Sequence, residues 1–288
     1  MPFRALKAAG GLLAAASMAG ALAAPLTAAQ LRSDFRLARQ ALEEAHGGIY
    51  SYTAKAELDR VLDDVAGKLD RPMEAMEFQR ILAPAVAALR CGHTAVLLSP
   101  AFKAGMEQAL LLPLEVTLVR GRVYILRDVD GTRKLAGREI ESVNGVAIGS
   151  IIERLTAAAP GDGFIATGRA RHVARRFKEE LFTQFGMQRT FTLGLRASRP
   201  ETVTLAGQTR AALKQASASR YPQDQHSHRF AELSLLDEGK IAHLQVFNFT
   251  DAEEDDDAEV ILKKAFEKIA ASGAQTLLLD LRDNGGGE

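Results

Sequence analysis

Cysteine is nearly absent from this sequence, which contains one residue of this type, Cys91. A single thiol cannot form a disulfide within the chain, so packing alone must stabilise the fold. An excess of either charge is also absent, because 36 Lys and Arg residues balance 36 Asp and Glu residues. No global field therefore attracts the chain to nucleic acid or to an anionic membrane, and we expect neither as a partner. With 288 residues, 47% of them hydrophobic, the chain is long enough for a globular protein of two or more domains.

The N-terminal segment lacks an apolar run of the about 20 residues that a transmembrane helix needs. It begins with Arg4 and Lys7, continues as an Ala, Leu and Gly stretch, and reaches Ala-Leu-Ala at 21–23, before Pro25. That order is typical of a secretory signal peptide, so we expect residues 1–24 to be removed and the protein to be periplasmic or secreted. The alternative, a buried or amphipathic first helix, is disfavoured because no polar face interrupts the run. The expected cleavage point has no cysteine, so no stable membrane anchor is predicted after cleavage.

Residues 25–98 have the apolar period of helices. The stretch LTAAQLRSDFRLARQALEEAH has apolar side chains at three- and four-residue steps. This spacing predicts one buried helix face that contains Leu31, Phe35, Ala38 and Leu42. Two later stretches, AELDRVLDDVAGKL and MEAMEFQRILAPAVAAL, repeat this period. The sequence therefore predicts a helical N-terminal domain over residues 25–98.

This helical region is predicted to end within the segment RCGHTAVLL. The last helix is expected to end between Arg90 and Gly92, with Gly92 as its C-cap, because glycine adopts the left-handed conformation without steric cost. An extended segment is expected from Thr94 onward. His93 then lies at the junction.

Residues 111–207 change to the pattern of strands. LPLEVTLVRGRVYILRDV predicts a hairpin that turns at Arg120 and Gly121. The pair Asn144–Gly145 predicts a tight turn between two further strands and a helix, because both residues accept positive φ angles. TFTLGLRASRPETVTLAG predicts two more strands. We expect a β-rich domain over this range.

One longer helix is predicted inside the β-rich domain, over RARHVARRFKEELFTQF. Its apolar face would contain Val173, Phe177, Leu181 and Phe185. Its arginines fall on the opposite face. We interpret them as solvated surface rather than as an anion site, because no aromatic or glycine-rich partner is near in sequence.

The last part begins after a polar linker expected over residues 210–227. HRFAELSLLDEGKIAHLQVFNFT then predicts two strands joined by a turn at 237–239. A helix follows, with Thr250 as the expected N-cap and Glu253 as its capping-box partner. The acidic residues 253–257 lack the Gly and the distal Glu of a calcium loop, and acids in a first turn favour the helix dipole. No metal site is therefore predicted there.

The sequence closes with LLLDLRDNGGG. Residues 276–281 are almost continuously apolar, which is typical of a strand covered on both faces. The glycines that follow predict a turn that exposes backbone groups. Asp280 and Arg282 are expected to form a salt-bridged pair that shapes this turn.

This closing segment resembles the DLRxNxGG segment of the tail-specific, or C-terminal processing, serine peptidases, including their tricorn-like relatives. Three further segments are similar to that family in the same order: the helical region that ends in Gly-His-Thr, LAGREIESVNGVAI of a PDZ-like domain, and GKIAHLQVFNFT of the core. The resemblance implies a mixed α+β and α/β multidomain fold. It has a helical N-terminal domain at 25–98, a PDZ-like domain at 111–207, and at 226–288 the first part of a Clp-protease or crotonase-like α/β core.

Gly286 and Gly287 are candidate oxyanion-hole donors. Amide hydrolysis needs a nucleophile, a base that takes its proton, and donors for the developing oxyanion. Glycines after a core strand can offer unobstructed backbone N–H groups, because they have no Cβ. The resemblance assigns that role to Gly286, with Gly287 as its neighbour. The alternative is a plain strand-to-helix turn.

His93 is the candidate general base. In the tricorn-like branch the resemblance assigns this role to the His of the Gly-His-Thr step, whereas other branches use a lysine after the serine. An imidazole suits the role because its pKa lies near neutrality. The alternative is a polar junction residue. Cys91 stands where relatives commonly have an acid and is expected to be a packed thiol; His46 is expected to organise the helix turn.

The family places its nucleophilic serine downstream of the glycine segment. We therefore expect the chain to be a fragment that lacks the nucleophile, and to act on a protein or peptide substrate only with the missing part. No cofactor and no metal are implied. On its own the chain is predicted to be inactive and to fold poorly.

Three other functions stay open. A non-catalytic protein could bind apolar ligands or peptides on the same core, as retinoid-binding relatives do. A crotonase-like acyl-CoA enzyme shares paired-amide oxyanion holes, although export argues against it because acyl-CoA is cytosolic. The PDZ-like domain alone could act as a peptide-binding adaptor.

Overall fold

The computed structural model describes residues 25–100, 103, 106–129, 134–221, 230–250, 257–282 and 284–287. The chain divides into two compact units, Met1–Leu213 and Lys214–Glu288. The predicted domains at 25–98 and 111–207 both fall within the first unit, whereas the predicted signal peptide lies outside the described residues. Within the described ranges, no helix is long and apolar enough to cross a membrane.

The first unit opens with three helices: α1 (Ala28–Ala45), α2 (Lys55–Lys68) and α3 (Ala75–Ala87). A capping box fixes the start of α1, because Thr27 accepts from the Gln30 amide and the Gln30 side chain accepts from the Thr27 amide. The predicted helix period is confirmed. Of the predicted α1 face, Leu31 and Phe35 are buried. They pack in one cluster with residues of α2 and α3, including Leu58, Leu62, Leu82 and Val86.

The predicted end of α3 is wrong. The helix ends at Ala87 with Ala88 as its C-cap, before the predicted range of Arg90 to Gly92. The left-handed residue after it is Arg90, with φ of 57°. Gly92 is needed for a different reason, because a Cβ there would lie 2.8 Å from Asp162 Oδ2.

The second part of the first unit is an antiparallel sheet. Its strands are β1 (Leu114–Val119), β2 (Arg122–Asp128), β3 (Glu139–Val143), β4 (Val146–Ala147), β5 (Thr190–Leu195) and β6 (Glu201–Ala206). The strand order is β1-β2-β3-β5-β6, and β4 pairs with β3. Both predicted turns are confirmed. Arg120 and Gly121 have φ of 50° and 78°, and Asn144 and Gly145 have φ of 49° and 79°. Positive φ at both central residues matches the twist of the strands that such turns join.

Three helices accompany this sheet: α4 (Ile148–Ala158), α5 (Ala166–Arg175) and α6 (Phe177–Phe185). The single helix predicted over the last two is wrong, because Arg176 leaves the helical region with φ of −110° and ψ of 15°. The predicted apolar face persists across the break. Val173, Phe177 and Leu181 are all buried in the sheet core.

Arginine side chains connect the first three helices to this second part. Arg80 of α3 donates from Nε to the Thr183 carbonyl of α6, at 2.5 Å. Arg169 of α5 donates from Nη2 to the Ala87 carbonyl at the end of α3, at 3.0 Å. Both carbonyls lie in the last turn of a helix, where no intrahelical donor is available to them.

The polar linker predicted over residues 210–227 is wrong for its first part, which forms the helix α7 (Arg210–Arg220). Thr209 Oγ1 accepts from the Ala212 amide at 3.3 Å and so caps its start. Leu213 is buried. The polar composition concealed a short helix with a capped start and one buried leucine; residues 222–229 lie outside the described part.

The second unit is a three-stranded sheet of β7 (Ala231–Leu236), β8 (Ile241–Val246) and β9 (Thr276–Asp280), with the helix α8 (Ala258–Ser272) between β8 and β9. The predicted hairpin of β7 and β8 is confirmed, and β9 pairs with β8 in parallel. The predicted N-cap Thr250 is wrong. Asp257 is the N-cap, since its side chain accepts from the Glu259 amide at 3.1 Å; Glu253 lies outside the described residues.

The leucines of β9 are not covered on both faces. Leu277, Leu278 and Leu279 have exposed fractions of 41%, 47% and 56%, whereas Asp280 is buried. The core of this unit consists instead of Phe230, Leu244, Val246 and Ala265.

Candidate functional site

His93 lies in a tight turn after α3, which we call the Cys91 turn (residues 90–94). Arg90 adopts the left-handed conformation, and the Thr94 amide donates to the Cys91 carbonyl at 3.4 Å. The second of these features, the Thr94–Cys91 hydrogen bond, closes a turn whose side chains are partly or fully exposed to solvent. His93 is exposed and Cys91 is half-buried.

The loop between α4 and α5, which we call the Asp162 loop (residues 159–165), is bound to the Cys91 turn. Gly92 donates its amide to Asp162 Oδ1 at 2.7 Å, and Gly163 donates its amide to the Arg90 carbonyl at 2.8 Å. The Arg90 guanidinium also stacks over the Phe164 ring at 4.5 Å. Three separate contacts therefore fix the loop on the turn.

Two glycines of these segments lie close to neighbouring side chains. A Cβ on Gly92 would meet the Asp162 carboxylate, and a Cβ on Gly163 would lie 2.9 Å from the Tyr52 ring. Gly163 also has φ of 52°, a conformation that favours glycine. A larger side chain at Gly92 would displace Asp162 from the turn, and one at Gly163 would displace the Tyr52 ring.

Cys91, His93 and Asp162 come together at this contact. Their potential ligand atoms all lie within 4.8 Å of one another. A hydrogen bond from the Thr94 side chain lowers the pKa of the Cys91 thiol, and a bond from the His93 backbone adds to this effect. The nearby Asp162 charge acts in the opposite direction. Within the described part of the chain, these three side chains form a cluster that could hold a metal ion.

His46 supports the Cys91 turn from the end of α1. Its Nδ1 accepts from the Gly48 amide at 3.2 Å, so that Nε2 carries the proton in the neutral ring. Nε2 lies 3.0 Å from Thr94 Oγ1 and can donate to it. The Thr94 hydroxyl can then donate its own proton to the Cys91 sulfur. His46 organises the helix end, as expected, and the cysteine turn in addition.

In the second unit, Asp280 ends β9 and accepts several hydrogen bonds. Arg282 donates to it from its amide, from Nε at 2.9 Å and from Nη2 at 2.6 Å, and His243 Nε2 lies 3.1 Å from Asp280 Oδ2. The Arg282 contacts, and after them the His243 contact, hold the pKa of Asp280 well below its usual range. The predicted pair of Asp280 and Arg282 is confirmed. His243 was missed, because its proximity depends on the parallel pairing of β8 with β9.

The glycine segment (residues 284–287) follows directly. Asn284 donates from Nδ2 to the Val246 carbonyl at 3.0 Å, and its Oδ1 accepts from the Gly286 amide at 2.8 Å. The Gly286 carbonyl accepts from the Phe249 amide at 2.9 Å. The segment is therefore tied to the chain that leaves β8, and the Gly286 amide is engaged in this conformation.

Gly287 comes closest to the neighbouring backbone. Its φ is 152°, and a Cβ at this position would overlap the backbone of Phe249 and Thr250. Gly286 has φ of 90° and open space around its Cβ position. The conformation of both residues thus requires glycine, Gly287 for space as well as for φ.

The predicted site residues are distributed over both units. His93 lies in the first unit with Cys91 beside it, and Gly286 and Gly287 lie together in the second. Sequence reasoning missed Asp162, which tertiary packing brings to His93. A weak signal was present, because Asp162 stands between two glycines in PGDGF, a loop in which a short acidic side chain can approach another backbone closely.

No protein-family model matches the chain, and no curated protein matches it. Solved structures are similar to it. Mature CPAF complexed with lactacystin is 15% identical with a TM-score of 0.61, over 91% of this chain and 57% of that chain. A putative S41 protease from Bacteroides fragilis NCTC 9343 is 16% identical with a TM-score of 0.21, over 70% of this chain and 53% of that chain. The chain has the fold of mature CPAF and spans somewhat more than half of its length.

Proposed function

We propose that this chain is part of an exported serine-type endopeptidase of the tail-specific family, which cleaves peptide bonds in protein or peptide substrates. The observation that supports this best is the fold shared with mature CPAF, a serine protease, over 91% of the chain. The DLRDNGGG segment at the end of β9 adds residues suited to the reaction. The export signal at 1–24 and the PDZ-like role of 111–207 belong to this proposal.

His93 is the proposed general base. It takes the proton of a serine hydroxyl that attacks the substrate carbonyl, and later returns it to the leaving amine. Its exposure in the Cys91 turn suits this role, because a base must be accessible to a nucleophile and to a substrate. We place the serine in a segment that follows residue 288.

The glycine segment is the proposed oxyanion hole. Backbone amides stabilise the tetrahedral intermediate best when they are held rigidly before the reaction. The ties of Asn284 to Val246 and of Gly286 to Phe249 provide such rigidity. The Gly286 amide donates to Asn284, so we assign the first hydrogen bond to the oxyanion to the Gly287 amide. The Gly286 amide donates to the oxyanion only after its hydrogen bond to Asn284 breaks.

Two observations favour a second candidate, a non-catalytic protein that binds peptides or apolar ligands. The Gly286 amide is engaged, and the leucines 277–279 of β9 are exposed apolar side chains. A gene without a serine downstream of the glycine segment would support this function.

The test compares the 288-residue chain with a chain extended to the natural end of its gene. We expect the extended chain to cleave a fluorogenic peptide and to lose this activity with a serine-directed inhibitor. The shorter chain should be inactive, because we place the nucleophile after residue 288, and it should self-associate, because β9 exposes leucines. Size-exclusion chromatography and thermal unfolding measure the second effect. An inhibitor-sensitive peptidase from the shorter chain, or an inert extended chain, would contradict the proposal.

Export has its own test. We expect the mature protein to begin at residue 24 or 25 when it is expressed in a bacterium with a periplasm. Mass spectrometry of the periplasmic or secreted fraction measures the N-terminal peptide. An exported protein that still begins at Met1 would overturn this part.

A further inference from the structure

The contact between the Cys91 turn and the Asp162 loop assembles three different metal-ligand types. A thiol, an imidazole and a carboxylate, from Cys91, His93 and Asp162, have their ligand atoms within 4.8 Å of one another. Around a tetrahedral zinc ion with bonds of about 2.0–2.3 Å, ligand atoms lie about 3.3–3.8 Å apart. The ligand atoms would therefore need to approach one another by about 1 Å to bind one ion together. Rotation of the partly exposed side chains can shorten these distances.

The ligand set indicates which cation would bind. Calcium and magnesium prefer oxygen ligands only, whereas a thiolate with an imidazole is typical of zinc and similar transition metals. Three protein ligands leave a fourth tetrahedral position, which water can occupy. The chemistry of the three residues therefore favours a zinc-like divalent cation.

The surroundings orient two of the three ligands. Gly92 donates its amide to Asp162 Oδ1 at 2.7 Å, which fixes the carboxylate and leaves Oδ2 for a cation. The hydroxyl of Thr94 hydrogen-bonds to the Cys91 sulfur and is itself held by His46. Such outer contacts commonly orient metal ligands and strengthen binding.

The backbone around the site is also fixed before any ion binds. The bond from the Gly163 amide to the Arg90 carbonyl and the stacking of Arg90 on Phe164 hold the loop against the turn. Asp162 comes from a loop about 70 residues away in sequence from Cys91 and His93, and these contacts supply the third ligand of the set.

We propose that Cys91, His93 and Asp162 form a binding site for a zinc-like divalent cation. This site has a consequence that rests on the proposed function. An imidazole nitrogen that coordinates a cation cannot accept a proton, so the bound ion would block His93 as general base. The cation would then act as a reversible inhibitor, and its removal would activate the enzyme.

Binding is tested on the extended chain with Co²⁺ as the probe, because thiolate-to-cobalt charge transfer absorbs in the near ultraviolet. We expect one Co²⁺ per chain, a charge-transfer band that Zn²⁺ abolishes, and loss of the band in Cys91→Ser. Asp162→Asn should weaken Co²⁺ and Zn²⁺ binding about tenfold or more. Asp34→Asn, at an exposed aspartate of α1, is the matched control and should leave the affinity unchanged.

Circular dichroism of each variant separates loss of the site from loss of the fold. A Co²⁺ titration of the folded protein without a thiolate band would overturn the proposal. It would be overturned equally if Asp162→Asn bound both ions as tightly as the control variant.

The inhibitory consequence is tested on the extended chain. Activity with and without Zn²⁺ is expressed as a ratio for each variant, and we expect this ratio to approach one in Asp162→Asn. If Co²⁺ binds as expected but Zn²⁺ does not inhibit an active enzyme, the role of His93 as base is wrong and the metal site stands. If no metal binds while the enzyme is active and depends on His93, the metal site is wrong and the proposed function stands.

Discussion

The Cys91 turn and the glycine segment differ in what they present to solvent. The first presents side chains, because His93 is exposed and the exposed Asp162 of the neighbouring loop is hydrogen-bonded to the turn at Gly92. The second presents backbone, because Gly286 and Gly287 have no side chains and their peptide groups are fixed by Asn284 and Phe249. Substitutions should therefore act differently in the two regions. In the turn they should change chemistry with little change in fold, whereas in the glycine segment they should change both.

The largest effect is expected at the turn. In the extended chain, His93→Ala should lower kcat by about two orders of magnitude or more, because no other group would take the proton of the nucleophile. Stability and substrate binding should be preserved, since His93 is exposed. Steady-state kinetics with a fluorogenic peptide measure the change.

His172→Ala serves as the matched histidine control for that variant, because His172 lies on α5 and has no role in the proposed reaction. An active His93→Ala enzyme would transfer the base role to a downstream lysine.

The next effect is expected in the glycine segment. Gly287→Ala should lower stability by about 1–3 kcal/mol, because its methyl group would overlap the backbone of Phe249 and Thr250. Activity of the extended chain should fall with it. Gly285→Ala, whose Cβ would meet nothing within 4 Å, should change stability by less than about 0.5 kcal/mol. Urea unfolding measures both variants, and equal losses would mean that the close approach at Gly287 is not required.

A smaller effect is expected at the contact of turn and loop. Gly92→Ala should destabilise the first unit by about 1 kcal/mol, because the new methyl group displaces the Asp162 carboxylate from the Gly92 amide, and the Asp162 side chain can rotate away. Gly67→Ala, inside α2 and with open space around its Cβ position, should instead stabilise by about 0.5 kcal/mol. The two substitutions should change the free energy of unfolding in opposite directions, so a general effect of replacing glycine by alanine cannot explain both. A neutral Gly92→Ala would mean that Asp162 is not held against the turn.

The smallest effect concerns pH and the second unit. The pKa of Asp280 is lower in the folded than in the unfolded state, so its carboxylate stabilises the fold above the unfolded value of about 3.9. This stabilisation should be lost progressively as pH falls from about 4 toward the folded pKa. Asp280→Asn should flatten the acid decline in the unfolding midpoint. Asp237→Asn, at an exposed turn position, is the control, and equal declines in the two variants would contradict the assignment.

Local signals in the sequence predicted most of the elements. The Asn144–Gly145 and Arg120–Gly121 turns followed from positive φ, and the apolar periods located the helices and strands of both units. Two of the errors fell where two local signals compete. Thr250 and Asp257 are both good N-caps, and the sequence does not reveal which one the chain uses. Arg176 breaks a helix although the apolar period continues through it.

The candidate site was less predictable, because tertiary contacts create it. His93, Gly286 and Gly287 were identified by their resemblance to a family motif and by their residue type. Asp162 and His243 had no such motif, and each reaches its partner only through packing, Asp162 through a docked loop and His243 through a parallel strand pair. The engagement of the Gly286 amide by Asn284 likewise depends on a local fold that the residue type does not reveal.

The arginine bonds of the first unit have a consequence for its cooperativity. Arg80 holds the Thr183 carbonyl and Arg169 holds the Ala87 carbonyl, so each bond joins the last turn of one helix to a side chain of another. If α3 frays at its end, the guanidinium of Arg169 loses its acceptor, and α5 loses this bond to α3 at the same moment. Fraying of single helices is thereby coupled, and the helical part and the sheet of the first unit should open to hydrogen exchange as one foldon.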